Sequence, residues 1–128
     1  MTSEDASMPT LAATVLQSPE PVALGRFYGA LTGWTVHEDG PTWVRVRPDE
    51  GPGLSVQYEP AYVAPTWPGT EDAPGMQLHL DFQVEDLPAA VAQAEQLGAR
   101  QAAFQPQDDV RVLLDPDGHL FCLFLPGA

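Results

Sequence analysis

Residues 76–99 read MQLHLDFQVEDLPAAVAQAEQLGA, and two periodicities meet inside them. From Met76 to Val84 apolar and polar residues alternate. Leu78, Leu80, Phe82 and Val84 make one row; Gln77, His79, Asp81 and Gln83 make the other. A two-residue repeat is that of a strand with one face buried. At Asp86 the period changes. Its carboxylate is suited to accept a backbone N–H at a helix start, and Pro88 falls in the first turn, where a missing N–H costs nothing. Leu87, Val91, Ala94 and Leu97 then recur at three- and four-residue steps, and Gly98 ends the helix. Strands are predicted beyond it over Arg100–Phe104, Asp109–Leu114 and His119–Leu125. Asp115-Pro116-Asp117-Gly118 turns the chain between the last two.

Toward the N-terminus the same grammar recurs. Leu11–Gln17 reads as a strand, closed by Ser18-Pro19. Ser18 is predicted to cap a helix with Pro19, Glu20 and Pro21 in its first turn and Leu24, Phe27, Tyr28 and Leu31 on its apolar stripe. Gly33 stops it. Strands follow at Trp34–Glu38, Thr42–Arg47 and Leu54–Tyr58, separated by turn residues. FYGALTGWTV in the first half stands where AEQLGARQA stands in the second. Between the halves, Pro60, Pro65, Pro68, Pro74, Gly69 and Gly75 mark a connector that is neither helix nor strand throughout. The prediction is an α+β fold: two βαβββ modules forming a curved, roughly eight-stranded mixed sheet around a cleft, with the helices outside. One domain covers 11–128, as a first module over 11–59, a linker over 60–75 and a second module over 76–125. Residues 1–10 are expected to be a frayed tail.

Composition excludes several functions. The 128-residue chain carries 18 acidic and 5 basic residues, all five of them Arg, for a formal net charge of -13. That field repels nucleic acid and anionic membranes and favours the approach of cationic small molecules. With no Lys, Schiff-base chemistry and a phosphate-loop lysine are ruled out. Cys122 is the single cysteine, so no internal disulfide and no thiolate cluster can form. No apolar run reaches a membrane span and the N-terminal segment has no secretory pattern, so a cytoplasmic location is expected.

Several motifs in this order resemble the vicinal-oxygen-chelate superfamily of glyoxalases, bleomycin-resistance proteins and extradiol dioxygenases. They are Phe27-Tyr28 with Leu31-Thr32-Gly33-Trp34, then His79-Leu80-Asp81-Phe82, Val84-Glu85-Asp86-Leu87, Leu97-Gly98-Ala99 and the Asp115–Gly118 turn; together they span residues 11–125. Pro65-Thr66-Trp67-Pro68 before Met76-Gln77-Leu78-His79 resembles the glyoxalase-like branch. The resemblance implies a homodimer and a metal held by one ligand from each of four strands. Those positions fall at Ala13, at or beside Gln57, at His79 and at Cys122. Only His79 is a strong ligand and Cys122 a conceivable one, whereas a catalytic divalent site wants about three protein ligands. Glu59 and His119 are the available substitutes, but His119 differs in strand parity from Cys122. No metal and no cofactor are therefore expected.

What remains is a polar row facing the cleft. His79 and Asp81 are expected about 6–7 Å apart along one face, as a general base with its orienting carboxylate. Ligand contacts are assigned to Trp43, Arg45, Gln57, Tyr62, Trp67, His79 and Cys122. Trp43 and Arg45 share a strand face suited to a planar or anionic group, Gln57 offers an amide, and Tyr62 and Trp67 are lid candidates in the linker. The expected function is metal-independent binding of a small molecule, with a cationic or aromatic ligand favoured and resistance or sequestration as its form. If the chain is an enzyme, the alternatives are a cofactor-free isomerase or lyase using His79, or a metal-dependent lyase or dioxygenase with an atypical site.

Overall fold

The apolar rows read from the alternation become the helix-facing sides of two four-stranded sheets in the computed structural model, which describes residues 8–128. Positions 1–7 of the expected tail lie outside the described residues. The first module runs β1 (Ala13–Ser18), α1 (Pro21–Thr32), β2 (Thr35–Glu38), β3 (Trp43–Arg47) and β4 (Gly53–Tyr58). The second runs β5 (Leu80–Gln83), α2 (Leu87–Gln96), β6 (Arg100–Gln101), β7 (Val110–Leu114) and β8 (Leu120–Phe124). The sheet orders are β1-β4-β3-β2 and β5-β8-β7-β6, the same topology twice. In each, the first strand pairs parallel with the last and the remaining pairs are antiparallel. The eight strands thus form two mixed sheets of four, with no ladder joining them among the described residues.

Val44, Val46, Leu54 and Val56 are buried beneath α1 with Leu24, Phe27 and Tyr28. The helix lies very close to this sheet. A Cβ added at Gly25 would fall 2.4 Å from Val44 Cγ1, and one at Gly29 would fall 2.2 Å from Val36 Cγ2. Glycine inside a helix costs roughly 1 kcal/mol, and the closer packing of β-branched side chains offsets it. Helix α1 also reaches the other sheet. The Phe27 and Tyr28 rings meet Phe121 edge-on with centroids 6.0 and 6.1 Å away, and Phe82 lies 6.4 Å from Tyr28. One apolar core therefore runs through both modules.

Most element ends shift by one or two residues from the sequence prediction, and three differences have a clear physical cause. Ser18 does not cap α1: it ends β1 fully buried, accepts from the Glu20 N–H at 2.9 Å and donates to Asp117. Prolines at 19 and 21 leave few N–H donors for a serine cap, and Glu20 takes the cap position without a side-chain bond. Asp86 does cap α2, accepting from Ala89 N at 3.0 Å. The strand expected from Met76 begins only at Leu80, because its parallel partner β8 begins at Leu120 and the register starts at Leu80↔Phe121. The strand expected to reach Phe104 stops at Gln101. Ala102 N still donates to Val112 O at 2.9 Å, and beyond it the Gln105 side chain takes over, donating to Ala102 O and Val112 O and accepting from Val112 N, all at 2.8–2.9 Å.

A buried polar network ties the modules together. Asp115, with no exposed surface, accepts from Tyr28 Oη at 2.7 Å and from the Asp117 and His119 N–H groups at 2.9 and 3.0 Å. His119 Nδ1 lies 2.8 Å from the same carboxylate, and its Nε2 lies 2.8 Å from Gln17 O on β1. Burial, followed by the Asp115 charge, raises the Tyr28 pKa well above the ordinary tyrosine value.

Asp115→Ala leaves the buried Tyr28 hydroxyl and the Asp117 and His119 N–H groups without their acceptor, and each stranded buried donor costs about 1–3 kcal/mol, so the variant is expected to lower unfolding free energy by about 3 kcal/mol or more in urea titrations. A wild-type-like midpoint would remove the network from its central role. Because the folded Tyr28 pKa is raised, its stabilising contribution is complete below the unfolded value of about 10 and is lost as pH rises beyond it. Tyr28→Phe should flatten this alkaline loss in stability measured between pH 8 and 11.

Candidate functional site

Alternation in β1 sends Leu16 and Ser18 to the helix side and leaves Val15 and Gln17 facing away from it. Gln17 is the register partner of Gln57 on β4, so two amides stand side by side. They form one wall of a pocket of about 610 Å³ that opens between the first sheet, the linker and the chain entering β5. Leu78, Leu80 and Leu120 supply apolar surface, and Gln77, His79, Glu59 and His119 complete the polar lining. A mostly apolar cavity with a few placed amides and imidazoles is the usual make-up of a small-molecule site. The sequence reading missed Gln17. Its signal was parity with Val15 in the first strand, but pairing with Gln57 needs the parallel register.

The linker contributes through Tyr62, which stacks on His119 with centroids 4.7 Å apart. Its hydroxyl is buried without a hydrogen-bond partner, and burial together with the nearby Asp115 and Asp117 charges raises its pKa. Trp67 goes elsewhere. It packs with Met76 on the buried patch of Ala102, Val112, Leu120 and Cys122, and its indole N–H donates to Phe104 O at 3.3 Å. Trp43 pairs in register with Gln57, yet neither it nor Arg45 lines the pocket. The Arg45 guanidinium is held by Asp39 at 2.6 Å on the surface.

His79 lies on the border between this pocket and a second one of about 400 Å³, which Asp81, Gln107, Val110, Cys122 and Phe124 also line. His79 Nε2 stands 3.0 Å from Asp81 Oδ1, so the side chains close most of the expected backbone separation. Asp81 is the register partner of Cys122 in the parallel β5–β8 pair. Burial pushes the Cys122 thiol up to about 11, and the Asp81 charge and hydrogen bond add to the effect. A thiol so protonated is a poor nucleophile near neutral pH.

A metal spanning four strands does not fit these residues. Ala13 has no donor and Gln57 offers only a neutral amide. Neither substitute completes the set: both His119 nitrogens face acceptors, and Glu59 bonds the Ala61 N–H at 3.2 Å.

The fold is shared with solved structures at low identity. A glyoxalase/bleomycin resistance protein/dioxygenase family enzyme from Burkholderia phytofirmans PsJN is 17% identical, with 91% of this chain and 98% of that one covered and a TM-score of 0.71. A glyoxalase-related enzyme from Fulvimarina pelagi is 17% identical, covering 92% and 88% at a TM-score of 0.65. TnmS3, an antibiotic binding protein from Streptomyces sp. CB03234, is 18% identical, covering 94% and 98% at 0.57. No curated protein matches the sequence. The family model of the glyoxalase-like domain matches residues 13–124. Nearly the whole described chain is thus accounted for by one family, and the protein belongs to the glyoxalase-like domain family.

Proposed function

We propose that this protein binds a small organic molecule in the cleft between its modules independently of a metal, in a resistance or sequestration role. The observation that carries the reading is that the paired amides of Gln17 and Gln57 and the His79 imidazole line one pocket together with Leu78, Leu80 and Leu120. The net charge of -13 favours a cationic ligand, and Tyr62 offers it an aromatic wall. TnmS3, which shares the fold, is an antibiotic binding protein, in keeping with this reading. A second copy of the chain is the expected partner, because Val15, Val63 and Leu78 leave an apolar rim exposed around the cleft.

His79 held by Asp81 at 3.0 Å supports a second reading, a cofactor-free isomerase or lyase with His79 as base.

A thermal-shift screen of cationic aromatic and drug-like compounds, run with chelator present, tests the binding reading. A compound at a hundredfold excess over its Kd should stabilise the protein by about 2.7 kcal/mol, and Gln57→Ala should weaken that shift. A protein inert across the panel would sink the proposal. For the second reading, His79→Ala should cut turnover of a true substrate by a factor on the order of 10² to 10⁴; unchanged turnover dismisses the base. Sedimentation should return twice the 13.8 kDa of one chain, and a monomer at micromolar concentration would refute the dimer.

A further inference from the structure

We propose that the helix-facing side of the second sheet holds a second ligand site, outside the cleft, for a small zwitterion with an apolar body, the chemistry of an apolar α-amino acid. It stands apart from ligand binding in the cleft, with which it shares no lining residue.

The duplicated topology locates it. Leu16 stands four residues before Glu20 at the start of α1, and Phe82 stands four before the α2 cap Asp86. From Leu16 the ladder crosses to Val56 and then Val44; from Phe82 it crosses to Leu123 and then Arg111. One step on, Val46 pairs with Val36, whereas Leu113 pairs with Gln101. Arg111 and Gln101 therefore occupy the places of Val44 and Val36, the two side chains that α1 meets through Gly25 and Gly29. Those glycines are the fifth and ninth residues of α1; the fifth and ninth of α2 are Val91 and Glu95. Side chains at both positions hold α2 off the sheet, and a pocket of about 490 Å³ opens between it, β6 and β7.

The chemistry of its lining selects the ligand. Alternation puts Arg111 on the face of buried Leu113, away from Val112 and the cleft side. Its Nη1 donates to the carbonyls of Gln107, Asp108 and Val110 at 3.0, 3.2 and 2.8 Å, which fixes the guanidinium. Its Nε and Nη2 have no acceptor among the described residues, and none of the ion pairs there includes Arg111. That edge is the fork that takes a carboxylate through two parallel bonds, and the Gln101 amide offers a further donor in the same pocket. Leu87, Val91 and Leu125 give the ligand an apolar floor. Glu95 and Asp108 also line the pocket, and with the net charge of -13 they oppose a plain anion. A carboxylate that carries its own ammonium group turns the same two acids into partners.

The full-length protein, isotope-labelled, is titrated with L-phenylalanine, hydrocinnamate and phenethylamine while its amide chemical shifts are followed. L-phenylalanine should shift the Val91, Gln101 and Arg111 amides saturably. Each of the other two probes lacks one charge and should bind about tenfold or more weakly, the loss of one charge-assisted hydrogen bond. Arg111→Gln should weaken L-phenylalanine by a similar factor. Glu95→Gln, at an exposed position of α2, should weaken L-phenylalanine and strengthen hydrocinnamate, and Gln57→Ala in the cleft should leave the titration unchanged. Circular dichroism checks that each variant is folded, and if Arg111→Gln is not, the Glu95→Gln result decides. Absence of a saturable shift at these amides overturns the proposal, as does unchanged affinity in Arg111→Gln. Equal binding of either singly charged probe overturns the zwitterion. Shifts that centre on Gln17 and Gln57, or that vanish in Gln57→Ala, would place the ligand in the cleft and overturn it too.

Discussion

Asp115 is a carboxylate with no exposed surface, and the relation between the two modules depends on how that charge is met. The groups that meet it come from separate parts of the chain. Tyr28 belongs to α1 of the first module, and the Asp117 and His119 N–H groups belong to the turn before β8. His119 continues the line to Gln17 O on β1. Its two ring nitrogens lie against the Asp115 carboxylate and Gln17 O, so the ring spans the two modules. Around this centre Phe27, Tyr28, Phe82 and Phe121 supply the apolar contact. The network adds what packing lacks: direction. An unpaired carboxylate at that depth is costly, so the modules are held at one angle.

The cleft inherits its shape from this tie. His119 forms part of the pocket wall, carries Tyr62 on its face and fixes the strand bearing Gln17. The second module spends its inner face differently. Trp67 from the linker and Met76 just after it pack against Val112, Leu120 and Cys122, and beside them lies the smaller pocket where His79, Asp81 and Cys122 meet. His79 belongs to both regions. A change there acts on the cleft and on the trio together, whereas Gln57 and Asp81 separate them.

Ala13 and Gln57 give the first module no charged donor on these strands, while the sheets, the duplicated topology and the cleft are complete. Sheet geometry depends on alternation and turn chemistry rather than on which donors the inner face carries. Function depends on single side chains at the inner face and can change without disturbing the core.

The duplicated βαβββ pattern and the α2 cap at Asp86 were legible in the sequence, as was the polar row of His79 and Asp81, because they rest on local periodicity and turn residues. Strand lengths were less so. Met76–His79 alternates as well as any strand but has no strand partner, and beyond Ala102 the Gln105 side chain takes the place of the ladder. Likewise nothing local marks Gly25 and Gly29 as the positions that let α1 settle on Val44 and Val36. Pairing of Gln17 with Gln57, of Asp81 with Cys122, and of Tyr28 with Asp115 was decided only by tertiary structure. Each joins residues at least 40 positions apart, and such contacts depend on parallel register and on the docking angle of two modules, neither of which a local period encodes.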